Sequence, residues 1–259
     1  MQYIYEKERK DYSDLASGRV FYSLPGHPAF PVRLASEIFQ RCIARREAMY
    51  KKIEPGTLFD PCCGTAYHLS VLAYLHGKHI GEIIASDIDE QAVVVAKRNL
   101  GLLHVEGVDR RIGEITAMLE QFKKESHRDA LKSAQLFRDK LSALRQEHSL
   151  MTKVFLANAT DHQTILANMP PGSVDIVFAD VPYGLHSWWQ GSGEPPNPLG
   201  SMLEVLLGVL SPSSIVAIAS DKGQKASHEK YQRIEQFQPG KRRVTILRPL
   251  PASHSQTSD

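Results

Sequence analysis

Apolar residues follow two alternating rhythms along this chain. Short apolar runs at 56–60, 83–87, 153–161, 174–180 and 215–220 read as buried strands, with Asp, Asn or Ser at or near their ends. Between them the apolar positions recur at helical spacing. Residues 31–50 place Leu34, Ile38, Phe39 and Cys42 on one side of a helix that Pro55 and Gly56 break. Leu69, Leu72, Ala73 and Leu75 mark a second helix, and Ala92, Val95, Ala96, Leu100 and Leu103 a third. A short helix after Asp161 stops near Pro170, and residues 199–210 read as another. Segments 231–237 and 243–247 pair as a hairpin through Gln238-Pro239-Gly240. The succession of strand, small-residue turn, helix, strand and helix up to residue 103 is a βαβ unit of the kind that holds a nucleoside.

The regions outside this alternation divide the chain. Residues 1–24 form a polar lead-in, with a short helix and a strand expected around Val20, Phe21 and Tyr22. Residues 25–250 form the domain proper, and 251–259 a polar tail expected to be disordered. Within the domain, about 105–149 is charged, rich in Lys, Glu, Arg, Leu and Ala, and free of proline. Ile112, Ile115, Leu119 and Phe122, then Leu131, Ala134, Phe137, Leu141 and Leu144, keep helical spacing there. Two inserted helices are expected, serving as structural elaboration or as an arm for folded RNA.

Composition narrows the function only a little. With 259 residues and 42% hydrophobic content the chain can bury one full α/β core. Its formal charge of +2, from 31 basic and 29 acidic residues, excludes a uniformly basic surface. A nucleic-acid surface must be a local patch. The candidates are Arg41, Arg45, Arg46, Lys51 and Lys52; then Lys97, Arg98, Arg110 and Arg111; then Lys241, Arg242, Arg243 and Arg248, each also readable as a solvated face. Three cysteines, two of them adjacent as Cys62 and Cys63, suit neither a disulfide framework nor a zinc site, so no metal is expected. No apolar span or signal segment is visible, and a cytoplasmic protein, monomeric and away from membranes, is expected.

Three stretches carry chemistry. Residues 178–184 read Phe-Ala-Asp-Val-Pro-Tyr-Gly, so a buried strand delivers the Asp180 carboxylate, the rigid Pro182 and the Tyr183 ring to the rim of a sheet. A carboxylate and a carbonyl can accept hydrogen bonds from a planar N–H while an aromatic ring stacks on the heterocycle; the plainer reading is a strand ending in a turn. Upstream, a strand ends in Asp60, followed by Pro61-Cys62-Cys63-Gly64-Thr65-Ala66-Tyr67 and a helix. The third is 83–89, which ends in Asp87, Ile88 and Asp89, about where nucleotide-binding folds place a ribose-binding acid. The turn lacks the Gly-Lys-Ser/Thr of a Walker loop, and Gly64 is its only glycine.

Taken together, these motifs resemble class I S-adenosylmethionine-dependent methyltransferases. More narrowly, segment 25–41, the turn from Asp60 to Tyr67, Ala85-Ser86-Asp87, Lys97-Arg98-Asn99-Leu100 and Pro182-Tyr183-Gly184 resemble, in order, the AviRa family of ribosomal RNA guanine methyltransferases. The likeness spans roughly residues 13–247 and is weakest in the middle. It implies an α/β, Rossmann-like fold: a seven-stranded, mostly parallel sheet closed by an antiparallel hairpin, with an added helical segment. It also implies S-adenosylmethionine as cofactor and a guanine of large-subunit (23S) ribosomal RNA as substrate, with orthosomycin (avilamycin) resistance as a cellular consequence.

The implied roles fall on particular residues. Backbone amides of Cys62 to Gly64 suit the methionine carboxylate and Asp60 its ammonium. Asp87 suits the ribose, Ile88 flanks the adenine, and Asn158 and Ala159 meet the adenine edge, with Asp161 competing. Phe30, a cofactor-binding candidate, lies in the helix entry that resembles the family's amino-terminal cofactor motif. Arg33 is a candidate for substrate or, equally, an ordinary helix-start salt bridge. Asp180, Pro182 and Tyr183 are the catalytic candidates. Trp188 and Trp189 suit a stacking lid over RNA or packing on a neighbouring helix.

Three alternatives stay open at this point. An Asp-Pro-Pro-Tyr-like loop usually points to an exocyclic amine, which keeps guanine N2 beside the ring nitrogen N1 that the resemblance implies. The same motifs suit a DNA or protein-glutamine methyltransferase. A catalytically silent RNA-binding relative is the third, against which the intact Asp60, Asp87, Asp180 and Tyr183 stand.

Overall fold

The computed structural model describes residues 3–16, 18–181 and 197–251. Its strands are β1 Gly56–Asp60, β2 Ile80–Asp87, β3 Met151–Leu156, β4 Val174–Asp180, β5 Leu210–Asp221, β6 Tyr231–Phe237 and β7 Arg242–Pro249. They form one seven-stranded sheet in the order β3-β2-β1-β4-β5-β7-β6. β1 to β5 are parallel, and β7 runs antiparallel between β5 and β6. The helices are α1 Val32–Tyr50, α2 Tyr67–His76, α3 Glu90–Gly101, α4 Val105–Phe122, α5 Glu125–Glu147, α6 His162–Asn168 and α7 Pro198–Leu207. The mostly parallel sheet with its terminal hairpin matches the expected architecture.

The strands read as unbroken apolar runs because both faces of the sheet are covered. Leu58, Ile83, Ile176, Phe178, Ile215 and Ala217 point into one core, shared with α1 and α2. Their neighbours Phe59, Ile84, Val177, Val216 and Ile218 point into the other, filled by Ile165 of α6 and Leu199, Met202, Leu203 and Leu206 of α7. The charged stretch does fold as two helices. One side of them carries Val108, Ile115, Ala130, Ala134, Phe137 and Leu141 into the first core, where Phe137 stacks on Tyr74. Phe122, expected on that side, is exposed at the end of α4. The turn into α4 is tight: a β-carbon on Gly107 would come within 2.0 Å of the Gly101 carbonyl oxygen.

Several boundaries differ from the sequence reading. No strand forms at 20–22. Val20 and Phe21 are buried in a turn, and the backbone of Tyr22 is satisfied by a side chain: its N–H donates to Asn99 Oδ1 at 2.8 Å, and its carbonyl accepts from Asn99 Nδ2 at 3.0 Å. β3 ends at Leu156, so Asn158 and Ala159 lie in the following turn. α7 ends at Leu207, and β5 starts at Leu210 rather than at 215.

The lead-in is held on α1 by buried polar groups. The carboxylate of Glu37, fully buried, accepts the N–H groups of Ile4, Tyr5 and Glu6 at 2.8, 2.9 and 2.8 Å. Arg41 donates to the same carboxylate at 2.8 Å. Leu15 joins the core, and the Tyr67 hydroxyl donates to its carbonyl at 2.6 Å.

Candidate active site

Parallel strands place all their carboxyl ends on one edge of the sheet. Asp60 from β1, Asp87 from β2 and Asp180 from β4 all end there. The strand order reverses between β1 and β4, which is where an open α/β sheet makes its ligand crevice. The three carboxylates therefore lie on the edge of the sheet where such a crevice forms.

The turn after β1 is built by its own hydrogen bonds. Cys62 N–H donates to Asp60 Oδ1 at 2.9 Å, Cys63 N–H to the Ser86 carbonyl at 2.9 Å, and Gly64 N–H to Asp87 Oδ2 at 2.7 Å. Those three amides, expected to meet a carboxylate ligand, instead tie the turn to β1 and β2. The donors left for an anion are at the start of α2, whose N-cap Ala66 offers no side-chain cap. Gly64 takes a left-handed φ of 52°, which favours glycine, and the His27 ring covers it closely enough that a β-carbon would lie 3.2 Å from Nδ1. Ala66 also takes a left-handed φ of 52°. Both thiols of the turn are pushed well above their ordinary range by burial and by the charges of Asp60 and Asp87, so neither is a nucleophile at neutral pH.

Beneath the turn lies a pair that no motif pointed to. His68 of α2 is buried, with Nε2 3.2 Å from Asp60 Oδ2. Its ring packs on Phe178 and Phe30 at 4.9 and 5.8 Å. Burial alone would lower the imidazolium pKa. The Asp60 carboxylate, with the charge of Asp180 and the Phe178 carbonyl, more than reverses this and holds it above the ordinary 6.5. Protonated His68 is thus favoured by the fold. Its contribution to stability is fully present below pH 6.5 and is lost as pH rises through the raised folded value. The melting temperature is expected to fall across that window in wild type and to lose this slope in His68→Gln. A variant with an unchanged slope would show that Asp60 and His68 do not share a proton in this way. A polar residue on the apolar side of α2, next to Leu69, was the one signal the sequence held.

Asp87 is mostly buried, and each oxygen accepts one backbone N–H, from Gly64 and from Asp89 at 3.0 Å. Desolvation, with the Asp60 charge, raises its pKa against the pull of those bonds and of His27. Ile88 is exposed beside it. Asn158 Oδ1 accepts the N–H and the hydroxyl of Thr160 at 3.0 and 2.9 Å, which leaves the Nδ2 amide rather than the oxygen to face a ligand. Ala159 is buried. Asp161 caps α6 through Gln163, Thr164 and the Thr164 hydroxyl, so it is a helix cap.

Phe30 is buried edge-on against Phe178 at 5.5 Å. Arg33 is not at the crevice: it donates to the carbonyls of Glu6 and Lys7 and lies over the Tyr3 ring, clamping the lead-in. Pro182, Tyr183, Trp188 and Trp189 lie outside the described residues. Among the described residues, no group of three or more His, Cys, Asp or Glu could hold a metal ion, and no helix is long and apolar enough to cross a membrane.

The basic patches are largely internal wiring. Arg41 and Arg45 pair with Glu235, and Arg46 pairs with Asp175 at 2.6 Å. Arg98 and Arg111 share Glu114 and flank the Tyr22 ring. Arg242 differs. It starts β7, faces Asp221 across the ladder, and brings Nε to 3.8 Å from Asp180 Oδ1 with its guanidinium 5.0 Å from the Phe30 ring.

The sequence and the fold have known counterparts. The model of a family described as rRNA methyltransferase AviRa matches residues 1–242. A 23S rRNA (guanine(2535)-N(1))-methyltransferase of Streptomyces viridochromogenes is 36% identical over 246 residues, covering 95% of this chain and 95% of the relative. A solved structure at 1.5 Å, of rRNA methyltransferase AviRa from the same organism, has a TM-score of 0.82 at 35% identity and covers 95% of this chain and 96% of its own.

Proposed function

Because the chain belongs to the AviRa family of rRNA methyltransferases, we propose that it methylates N1 of a guanine in 23S rRNA from S-adenosylmethionine. The observation that carries this reading is the placement of Asp180 at the end of β4, across the topological switch from Asp60 and Asp87.

The residues present fit the cofactor. Asp60 is buried, and its Oδ2, with His68 Nε2 at 3.2 Å, keeps a further lone pair for the methionine ammonium. The uncapped start of α2 suits the carboxylate. Asp87 keeps lone pairs for ribose hydroxyls, Ile88 offers an apolar flank, and the Asn158 amide donates toward the adenine. When bound, S-adenosylmethionine supplies an electrophilic methyl group on its sulfonium. The chain's own work is to position the base and take the proton. Asp180 accepts the guanine N1–H proton, and the adjoining Pro182 and Tyr183 serve to fix and stack the base. The base must be unstacked to reach it.

The test is transfer of labelled methyl to protein-free 23S rRNA, 16S rRNA, tRNA and duplex DNA, with nucleoside analysis. Label confined to 23S rRNA as N1-methylguanosine is expected. N2-methylguanosine would move the target atom, and label in DNA or nowhere would overturn the reading. Resistance to orthosomycin antibiotics follows if the modified guanine lies where those drugs bind.

A further inference from the structure

We propose that Arg242 is the residue that selects guanine, acting with Asp180 as a donor–acceptor pair matched to the O6/N1–H edge of the base; this rests on the guanine-N1 reading above.

The geometry is specific. Arg242 opens β7, its N–H donates to the Pro239 carbonyl at 3.2 Å, and its position opposite Asp221 is fixed by the antiparallel ladder. Its guanidinium lies 5.0 Å from the Phe30 ring, a cation–π contact that limits its freedom. Phe30 is itself wedged edge-on against Phe178, two residues before Asp180. Arg242 and Asp180 are therefore held by one packed unit. Arg242 Nε and Asp180 Oδ1 are buried facing each other at 3.8 Å, while each side chain stays partly exposed. The outer guanidinium nitrogens and Asp180 Oδ2 are therefore the polar atoms that meet two adjacent groups on one purine edge. Guanine offers N1–H as donor beside O6 as acceptor, which this pair satisfies. Adenine offers the reverse, N1 as acceptor beside an amino donor, which would set like against like twice.

The same contact has a role in the reaction. As the N1–H bond breaks, its proton passes to Asp180 and its electron pair is shared between N1 and O6. Arg242 stabilises the negative charge developing at O6. The N1 pair then forms the bond to the methyl carbon, the carbon–sulfur pair returns to sulfur, and the keto base is restored. Charge balances: one carboxylate and one sulfonium become a carboxylic acid and a thioether.

The experiment uses the full chain as wild type, Arg242→Gln and Arg242→Lys, with the 23S rRNA hairpin whose guanine the transfer assay has mapped. Loss of one donor to a developing oxyanion is expected to lower kcat about 100-fold at neutral pH in Arg242→Gln, with little change in KM for the RNA. Raising the pH toward the guanine N1–H pKa should recover part of that loss, which a merely structural role would not do. Arg242→Lys, which keeps the charge, should fall between. A second readout needs no turnover. Without methyl donor, wild type should bind the guanosine hairpin about tenfold more tightly than its adenosine counterpart, and Arg242→Gln should erase the preference. If wild type methylates guanine N1 while Arg242→Gln keeps its kcat across pH and its preference for guanosine, the inference falls alone. If wild type methylates no guanine, the functional reading falls and takes the inference with it.

Discussion

Asp180→Asn is expected to lower kcat for methyl transfer to 23S rRNA about a thousandfold, within the range that loss of a general base produces. Asparagine keeps the volume and leaves an oxygen that can accept a hydrogen bond, but it cannot carry the proton away. The side chain ends β4, whose backbone is locked between β1 and β5, with Asp180 opposite Ala219. The substitution should therefore leave the sheet, Asp60 and Asp87 in place. Affinity for S-adenosylmethionine, measured by calorimetry, is expected to stay near wild type while single-turnover methyl transfer collapses. Near-normal turnover would show that the proton leaves by another route. Lost cofactor affinity would mean that Asp180 belongs to the cofactor site.

Asp180 was legible in the sequence for a physical reason: Ile176 to Ala179 form a run buried on both faces, so the charged residue that closes the run at its carboxyl end marks the rim. Asp60 and Asp87 were readable by the same rule. The helices of 105–149 were legible because one side of each is buried at helical spacing, and Phe122 failed because the turn that follows lifts it off the core. What escaped was everything settled by side chain to backbone bonding over long sequence distances. Asn99 replaces a strand partner for Tyr22, 77 residues away. Arg33 is consumed by carbonyls of the lead-in. The amides of Cys62 to Gly64 look available in sequence but are taken by Asp60, Ser86 and Asp87, two of which arrive from the next strand. Arg242 sat in an apparent surface patch because its proximity to Asp180 exists only once β7 has paired with β5. Local periodicity contains no information of that kind.

Glu37→Ala is expected to destabilise the protein by about 3 kcal/mol, the lower end of the cost of breaking a buried ion pair. Glu37 is where the lead-in meets α1. Removing its carboxylate strands the N–H groups of Ile4, Tyr5 and Glu6, while Arg41 keeps its contact with Glu235 and so is not left as an isolated buried charge. The stranded amides are best relieved by hydration, so the lead-in should detach before the sheet unfolds. Amide exchange of residues 4–6 should accelerate more than that of β1 or β4, and denaturant unfolding should report the loss. The same junction should be acid-labile. Burial alone would raise the Glu37 carboxyl, but three backbone donors and Arg41 hold it below its ordinary 4.5. Its stabilisation is present above that value and is lost as pH falls through the lowered one. His76, whose Nε2 lies 2.7 Å from the Ser36 hydroxyl that also reaches Glu6, is pushed down to about 4 by burial. It folds neutral, so its contribution is present above 6.5 and disappears as pH falls toward about 4. Acid should therefore release the lead-in of the wild type in two overlapping steps, with the His76 step still present in Glu37→Ala. A variant as stable as wild type, with the lead-in still protected, would show that the packing of Leu15 and Phe21 holds the segment without Glu37.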